Sequence, residues 1–136
     1  MKPGEGAQKE LVLQWFHKAK RGFSLARYLL AEAAQYPEAV AFHSQQAVEN
    51  LKAFLILHQV DFPKTHNLGE LLDRVGSHDA TLAASLRDVT ALNPYGVEYR
   101  YPGDFPDLVQ KDAEIAFYLA EKAWAAIAGA IEIAGE

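Results

Sequence analysis

Apolar residues recur at three- and four-residue intervals along five segments of this 136-residue chain, and no segment has a convincing strand pattern. The first segment, at about residues 8–34, ends before Pro37, because the residue preceding a proline resists the helical conformation. The same proline suits the first turn of a second helix, at about residues 37–59. The pattern predicts a fold made only of helices.

Three further segments complete the predicted architecture. A short helix begins at Asn67, which has capping-box spacing to Glu70, and ends near Gly76. Two more helices are predicted at about residues 79–92 and 106–134, and the prolines and glycines between them predict a loop. We expect an all-α, antiparallel bundle of three long and two short helices that forms one domain over residues 1–136, with residues 1–6 flexible.

The predicted helices are apolar on more than one face. The end of the last helix is rich in Ala and includes Gly129, so another backbone can approach it closely, inside the bundle or between subunits. Because a dimer commonly covers surplus apolar surface, we expect a homodimer.

Composition narrows the functional classes. The absence of cysteine excludes disulfides, Cys-ligated zinc and thiol nucleophiles, and it fits a cytoplasmic protein. Neither a signal peptide nor a membrane-spanning run is apparent.

The net charge of −5 argues against general nucleic-acid binding by bulk electrostatics. Residues 1–30, however, carry six basic and two acidic residues, a net charge of +4 against −9 for the remainder. This basic helix can meet a phosphate or an acidic neighbour, and a solvated face is the favoured interpretation.

The second predicted helix opens with uncharged polar side chains in an otherwise apolar segment. His43, Gln46 and Asn50 are spaced i, i+3 and i+7, so they lie close to one helix face. Such groups need partners when they are buried. The pattern indicates either a buried polar network that fixes helix register or a face that contacts a ligand.

Two other segments are candidate ligand contacts. Lys64 and His66 precede a helix start, where backbone N–H groups can hold an anion, although helix capping by Thr65 and Asn67 is the favoured interpretation. Lys64 and His66 form the second candidate segment. The third candidate group comprises aromatic and basic residues in the loop before the last helix, which offer stacking planes and a phosphate contact or simply a lid over the bundle: Tyr95, Tyr99, Arg100 and Tyr101.

Recognised catalytic motifs are absent from the sequence. The five histidines have no metal-ligand spacing, and there is no phosphate-binding glycine loop or nucleophile elbow. We therefore expect no metal and no cofactor.

Three motifs in order resemble the HEPN domain (higher eukaryotes and prokaryotes nucleotide-binding) of the prokaryotic, single-domain type. They are AFHSQQAVENLKA at 41–53, PKTHNL at 63–68 and YRYP at 99–102. The resemblance implies an all-α bundle that usually pairs as a homodimer. The resemblance implies that five residues of this chain occupy motif positions of the family: His43, Gln46, Lys64, His66 and Arg100.

The resemblance also implies a function. Many such proteins are partners of a minimal nucleotidyltransferase in toxin–antitoxin pairs, and others are metal-independent ribonucleases marked by an Arg, four to six residues, then a His. No Arg of this chain has that spacing; Arg74 and His78 come nearest, with three residues between them. The sequence thus favours a non-catalytic module that binds a nucleotide or RNA and acts with a nucleotidyltransferase. The alternatives are a ribonuclease toxin with a displaced site and a purely structural dimerisation protein.

Overall fold

The computed structural model describes residues 5–97 and 107–135. Within these ranges the regular secondary structure is entirely helical. The elements are α1 (Glu5–Leu30), α2 (Pro37–Val48), α3 (Leu51–Leu57), α4 (Leu68–His78), α5 (Ala80–Ser85), a 3₁₀ helix (Arg87–Leu92), α6 (Asn93–Val97) and α7 (Gln110–Gly135). The all-α fold class is therefore confirmed, and α1 begins at Glu5, inside the stretch expected to be flexible.

Helix α1 packs against α2, α3 and α7. Gly22 faces Gln46 of α2 so closely that a Cβ at Gly22 would lie 3.1 Å from the Gln46 Oε1 atom. On the other side, Phe23 packs edge-on against Phe117 of α7, with ring centroids 5.6 Å apart. Phe23 and Phe117 belong to a small apolar cluster between α1, α2 and α7.

The larger core lies between α2, α3, α4, the 3₁₀ helix and α7. Helix α4 contributes leucines and a valine at i, i+3, i+4 and i+7 that are all fully buried: Leu68, Leu71, Leu72 and Val75. Burial of a leucine side chain stabilises the fold by about 1.5–3 kcal/mol. This apolar stripe explains why so short a helix is firmly placed.

The start of α4 has the predicted cap. The Asn67 side chain accepts a hydrogen bond from the Glu70 backbone N–H at 3.1 Å, and Thr65 Oγ1 accepts one from Asn67 N–H. A second side chain joins the cap, because Asn93 Oδ1 accepts from the Leu68 N–H at 2.7 Å. The capping interpretation of Thr65 and Asn67 is therefore confirmed.

The predicted bounds of several elements were wrong. The span expected to be one helix at 37–59 contains two, since the turn at Glu49 and Asn50 separates α2 from α3. The span 79–92 divides into α5 and the 3₁₀ helix, and the start of the expected loop forms α6, where Pro94 occupies the first turn that proline tolerates. The last helix begins at Gln110 rather than near residue 106.

Gly129 lies on α7 without a close neighbour. A Cβ there would meet no atom within 4 Å among the described residues. The small residue therefore does not serve a tight contact inside the described bundle, and a contact between subunits stays a prediction. None of the described helices is long and apolar enough to cross a membrane.

Candidate functional site

Within the described part of the chain, all buried polar or charged residues lie in one nine-residue segment, 44–52. They are Ser44, Gln45, Glu49, Asn50 and Lys52, each less than 9% exposed. Burying such groups costs free energy unless they find partners. Their concentration at the junction between α2 and α3 makes this segment the chemically distinctive part of the molecule.

The junction is a short stretch of tightened helix. The backbone N–H groups of Glu49, Asn50 and Lys52 each bond the carbonyl three residues earlier, at 2.9–3.3 Å, instead of four residues earlier. In such 3₁₀ geometry, side chains at i and i+3 eclipse one another. The tightening thereby places the Lys52 ammonium 2.8 Å from Glu49 Oε1 in a buried ion pair.

The ion pair connects two other parts of the fold. The Lys52 ammonium also lies 4.6 Å from the ring centroid of Trp15 on α1, a cation–π contact that favours a desolvated cation. A second cation, that of Lys18, lies 5.1 Å from the same ring. Trp15 therefore lies next to the positive charge of α1 and of the junction.

The Glu49 carboxylate holds a histidine from another segment. His66 Nδ1 lies 2.8 Å from the same Oε1 atom that pairs with Lys52. The Glu49 side chain is 10% exposed, whereas the His66 side chain is 61% exposed. A second contact fixes the backbone, because Gln45 Nε2 donates to the His66 carbonyl at 3.3 Å. The result is an exposed imidazole with a fixed backbone and one fixed ring nitrogen.

The predicted polar face of α2 is only partly exposed. His43 Nδ1 lies 3.1 Å from Gln46 Oε1, so these two side chains meet as their spacing predicts. Asn50 does not share this exposure: it is fully buried, and its amide atoms have no hydrogen-bond partner among the described residues. Protein atoms therefore enclose the Asn50 side chain in this structure, and a contact between Asn50 and a ligand stays a prediction.

The two residues of the second candidate segment, Lys64 and His66, differ in their contacts. Lys64 is exposed and forms no ion pair with the described residues, which leaves its charge available. His66, by contrast, is bound to Glu49 rather than merely solvated. Of the third candidate group, Tyr95 lies on α6 and packs against the larger core, whereas Tyr99, Arg100 and Tyr101 lie outside the described residues.

Glu49, Lys52 and Trp15 complete the site but were missed as site residues by the sequence reasoning. A signal for two of them exists, since Glu49 and Lys52 are opposite charges at i and i+3 inside an apolar helix. Nothing in the local pattern indicates that His66, 17 residues further on, joins them.

A separate cleft of about 420 Å³ lies where the start of α1 meets the end of α3. Trp15 and Gln8 form part of its wall, and Gln8 Nε2 also donates to the Ile56 carbonyl at 2.8 Å. Neither Lys64 nor His66 lines this cleft. Trp15 connects this cleft to the polar junction through its contact with Lys52.

Neither metal binding nor ribonuclease chemistry is supported by the described residues. These contain no group of three or more side chains that could hold a metal ion. The residues nearest to a ribonuclease signature have other contacts: Arg74 donates to the Asp61 carbonyl at 3.4 Å, and His78 stacks on His58 at 4.0 Å.

The site thus belongs to an all-α bundle whose polar groups converge on one helix junction. The family model of the HEPN domain matches residues 12–130, which is most of the chain. This protein belongs to the HEPN domain family. Membership indicates a function related to nucleotides or RNA. No curated protein and no solved structure gives a significant match.

Proposed function

We propose that this chain is a nucleotide- or RNA-binding HEPN module without catalytic activity of its own. The observation that carries the proposal is the exposed His66 imidazole, which a buried carboxylate holds. The exposed Lys64 lies two residues away and forms no ion pair with the described residues. An oriented imidazole and a nearby ammonium offer a nucleotide one directional hydrogen bond and one charge for a phosphate. Burying the ion pair of Glu49 and Lys52, whose carboxylate holds that imidazole, costs free energy. This cost is high for a contact that has only a structural role.

The charge distribution of α1 supports the same proposal. Four cationic side chains of this helix lie in a stretch without acidic residues, and none forms an ion pair with the described residues: Lys18, Lys20, Arg21 and Arg27. On a chain of net charge −5, this helix presents concentrated positive charge. A phosphodiester chain is the nucleic-acid feature that such a surface attracts.

The proposal includes assembly as a homodimer and action with a minimal nucleotidyltransferase in a toxin–antitoxin pair. Exposed large apolar side chains support an interface, and they include Leu13, Leu25 and Tyr28 of α1 and Ile115 and Tyr118 of α7. A stable dimer should bury at least about 1,000 Å² in total. A purely monomeric mass by light scattering would remove the homodimer from the proposal. Co-purification with the nucleotidyltransferase tests the second partner.

Binding is tested by titrating the purified protein with ATP, GTP and a short single-stranded RNA in the presence of a chelator. Lys64→Ala removes one charge-assisted contact, and such a contact contributes about 1.5–3 kcal/mol to binding. Because the Lys64 side chain is exposed, we expect a loss of binding free energy somewhat below this range. Lys111→Ala is the matched control, since Lys111 is an exposed lysine on α7 without an ion pair among the described residues. Failure of every ligand to bind would refute the proposal, and cleavage of the RNA would favour a ribonuclease instead.

A further inference from the structure

The contact between Glu49 and His66 determines which hydrogen-bonding group His66 presents to solvent. An ionised carboxylate has only acceptor sites, so the His66 Nδ1 atom that lies 2.8 Å from it must carry the hydrogen. In a neutral imidazole the other nitrogen, Nε2, then has the free lone pair. His66 therefore presents an acceptor, not a donor, when its ring is uncharged.

The surroundings of Glu49 keep this arrangement fixed. The Lys52 ammonium lies 2.8 Å from the same carboxylate and is only 4% exposed, so the charge of Glu49 is matched by a buried cation. The Gln45 side chain holds the His66 backbone carbonyl at 3.3 Å. Because the ring is already oriented, a ligand that bonds Nε2 loses little further free energy by ordering it.

An acceptor at this position selects among the parts of a nucleotide. Phosphate oxygens also accept hydrogen bonds, so they do not suit a neutral Nε2, whereas sugar hydroxyls and base amino groups donate. Lys64 is the group that suits a phosphate, and its Cα lies within about 7 Å of the His66 Cα because one residue separates them. The sugar is the part of a nucleotide that adjoins the phosphate.

We propose that His66 Nε2 accepts a hydrogen bond from the 2′-hydroxyl of a bound ribonucleotide, so that the site selects ribonucleotides over deoxyribonucleotides. The inference rests on the proposed function, and it names the ligand class and the residue that recognises it. The 2′-hydroxyl is the group by which proteins distinguish RNA from DNA.

The test compares ATP with 2′-deoxy-ATP, which differ in one hydroxyl, by calorimetry at about pH 8, where an ordinary imidazole is uncharged. The wild-type protein should bind ATP about fivefold more tightly, the effect of one hydrogen bond. His66→Ala should bind both ligands with equal affinity. His17→Ala, an exposed histidine of α1 outside the site, should retain the fivefold preference.

A third ligand, purine riboside triphosphate, lacks the base amino group and keeps the ribose. Binding equal to that of ATP supports the ribose assignment, whereas a fivefold loss with this ligand and none with 2′-deoxy-ATP would assign Nε2 to the amino group and overturn it. If neither ATP nor 2′-deoxy-ATP binds, the inference about His66 fails, and the proposed function fails as well only if GTP and the short RNA also do not bind. If both bind the wild type equally, only the inference about His66 fails.

A second measurement separates ligand contact from a structural role. Imidazole nitrogen chemical shifts of the wild-type protein should show hydrogen on His66 Nδ1 and should change at Nε2 on addition of ATP but not of 2′-deoxy-ATP. A hydrogen on Nε2 in the neutral ring, or an equal response to both ligands, would overturn the inference without any substitution that perturbs folding.

Discussion

The buried face of α4 and the junction between α2 and α3 lie in the same small bundle, yet they are built by opposite rules. On α4 the buried side chains are all apolar, and the polar residues of the helix lie outside the core. At the junction, five polar or charged residues are buried within one stretch of nine. The α4 face follows the pattern that stabilises a helix, whereas the junction departs from it.

The difference shows where stability is given up. Glu49 and Lys52 pair with each other, but Ser44 Oγ and the Asn50 amide have no partner among the described residues. Each buried polar group without a partner costs about 1–3 kcal/mol. Segments that depart from local rules in this way are expected at functional or strained sites.

The largest expected effect is that of removing the carboxylate at the junction. Glu49→Ala leaves the Lys52 ammonium buried without its counter-ion, so the free energy of unfolding should fall by about 3–5 kcal/mol. Urea unfolding measures this loss. The double variant Glu49→Leu/Lys52→Met, which removes both charges, should recover most of it. A single variant as stable as the wild type would show that the pair is not buried, and the contrast with α4 would disappear.

A change in the opposite direction is expected at Asn50. Asn50→Leu replaces a fully buried amide that lacks partners with an apolar side chain of similar size, so it should raise the free energy of unfolding by about 1–3 kcal/mol. Urea unfolding of the two proteins gives the difference. Leu71→Asn on α4 is the mirror control, and it should lower stability by burying a polar group in the apolar face. Destabilisation by Asn50→Leu would mean that the amide has a partner, and it would refute this account.

The two regions also differ in how far the sequence predicts them. The α4 cap and stripe follow from local spacing, Asn67 to Glu70 for the cap and 3.6-residue periodicity for the stripe, and the structure confirms both. No Gly or Pro lies at the break at Glu49 and Asn50 to indicate the end of a helix, so periodicity predicted one continuous helix. It accompanies contacts with Trp15 and His66, which are distant in sequence.

The start of the predicted loop shows the opposite error. Pro94 and Gly96 suggested irregular structure, yet both fit a short helix: Pro94 lies in its first turn, and Gly96 packs so closely on Gln45 that a Cβ there would lie 3.0 Å from the Gln45 Cδ atom. Composition alone does not separate a breaker from a residue selected for close packing. The family resemblance singled out His66 where local periodicity did not, and the role of His66 as a ligand contact stays a prediction.

The smallest expected effect lies at the far end of α3, where the apolar core meets titratable groups. The His58 ring stacks on the His78 ring with centroids 4.0 Å apart, and both contact Phe54. Burial, and then the nearby charge of His78, lower the pKa of His58, while Asp79 acts in the opposite direction. The folded protein therefore binds fewer protons at His58 than the unfolded chain does. The contribution of His58 to stability is fully present above about pH 6.5, its ordinary value, and is lost as the pH falls towards the lowered pKa.

Urea unfolding near pH 7.5 and near pH 5.5 measures this dependence, since the two conditions lie on either side of the ordinary imidazole pKa of about 6.5. His58→Gln should lose less stability on acidification than the wild type, because the unfavourable protonation is removed. His17→Gln, at an exposed position on α1 away from the stacked pair, should follow the wild type. If His58→Gln and the wild type lost equal stability on acidification, protonation of His58 would not be a source of the acid-dependent loss of stability.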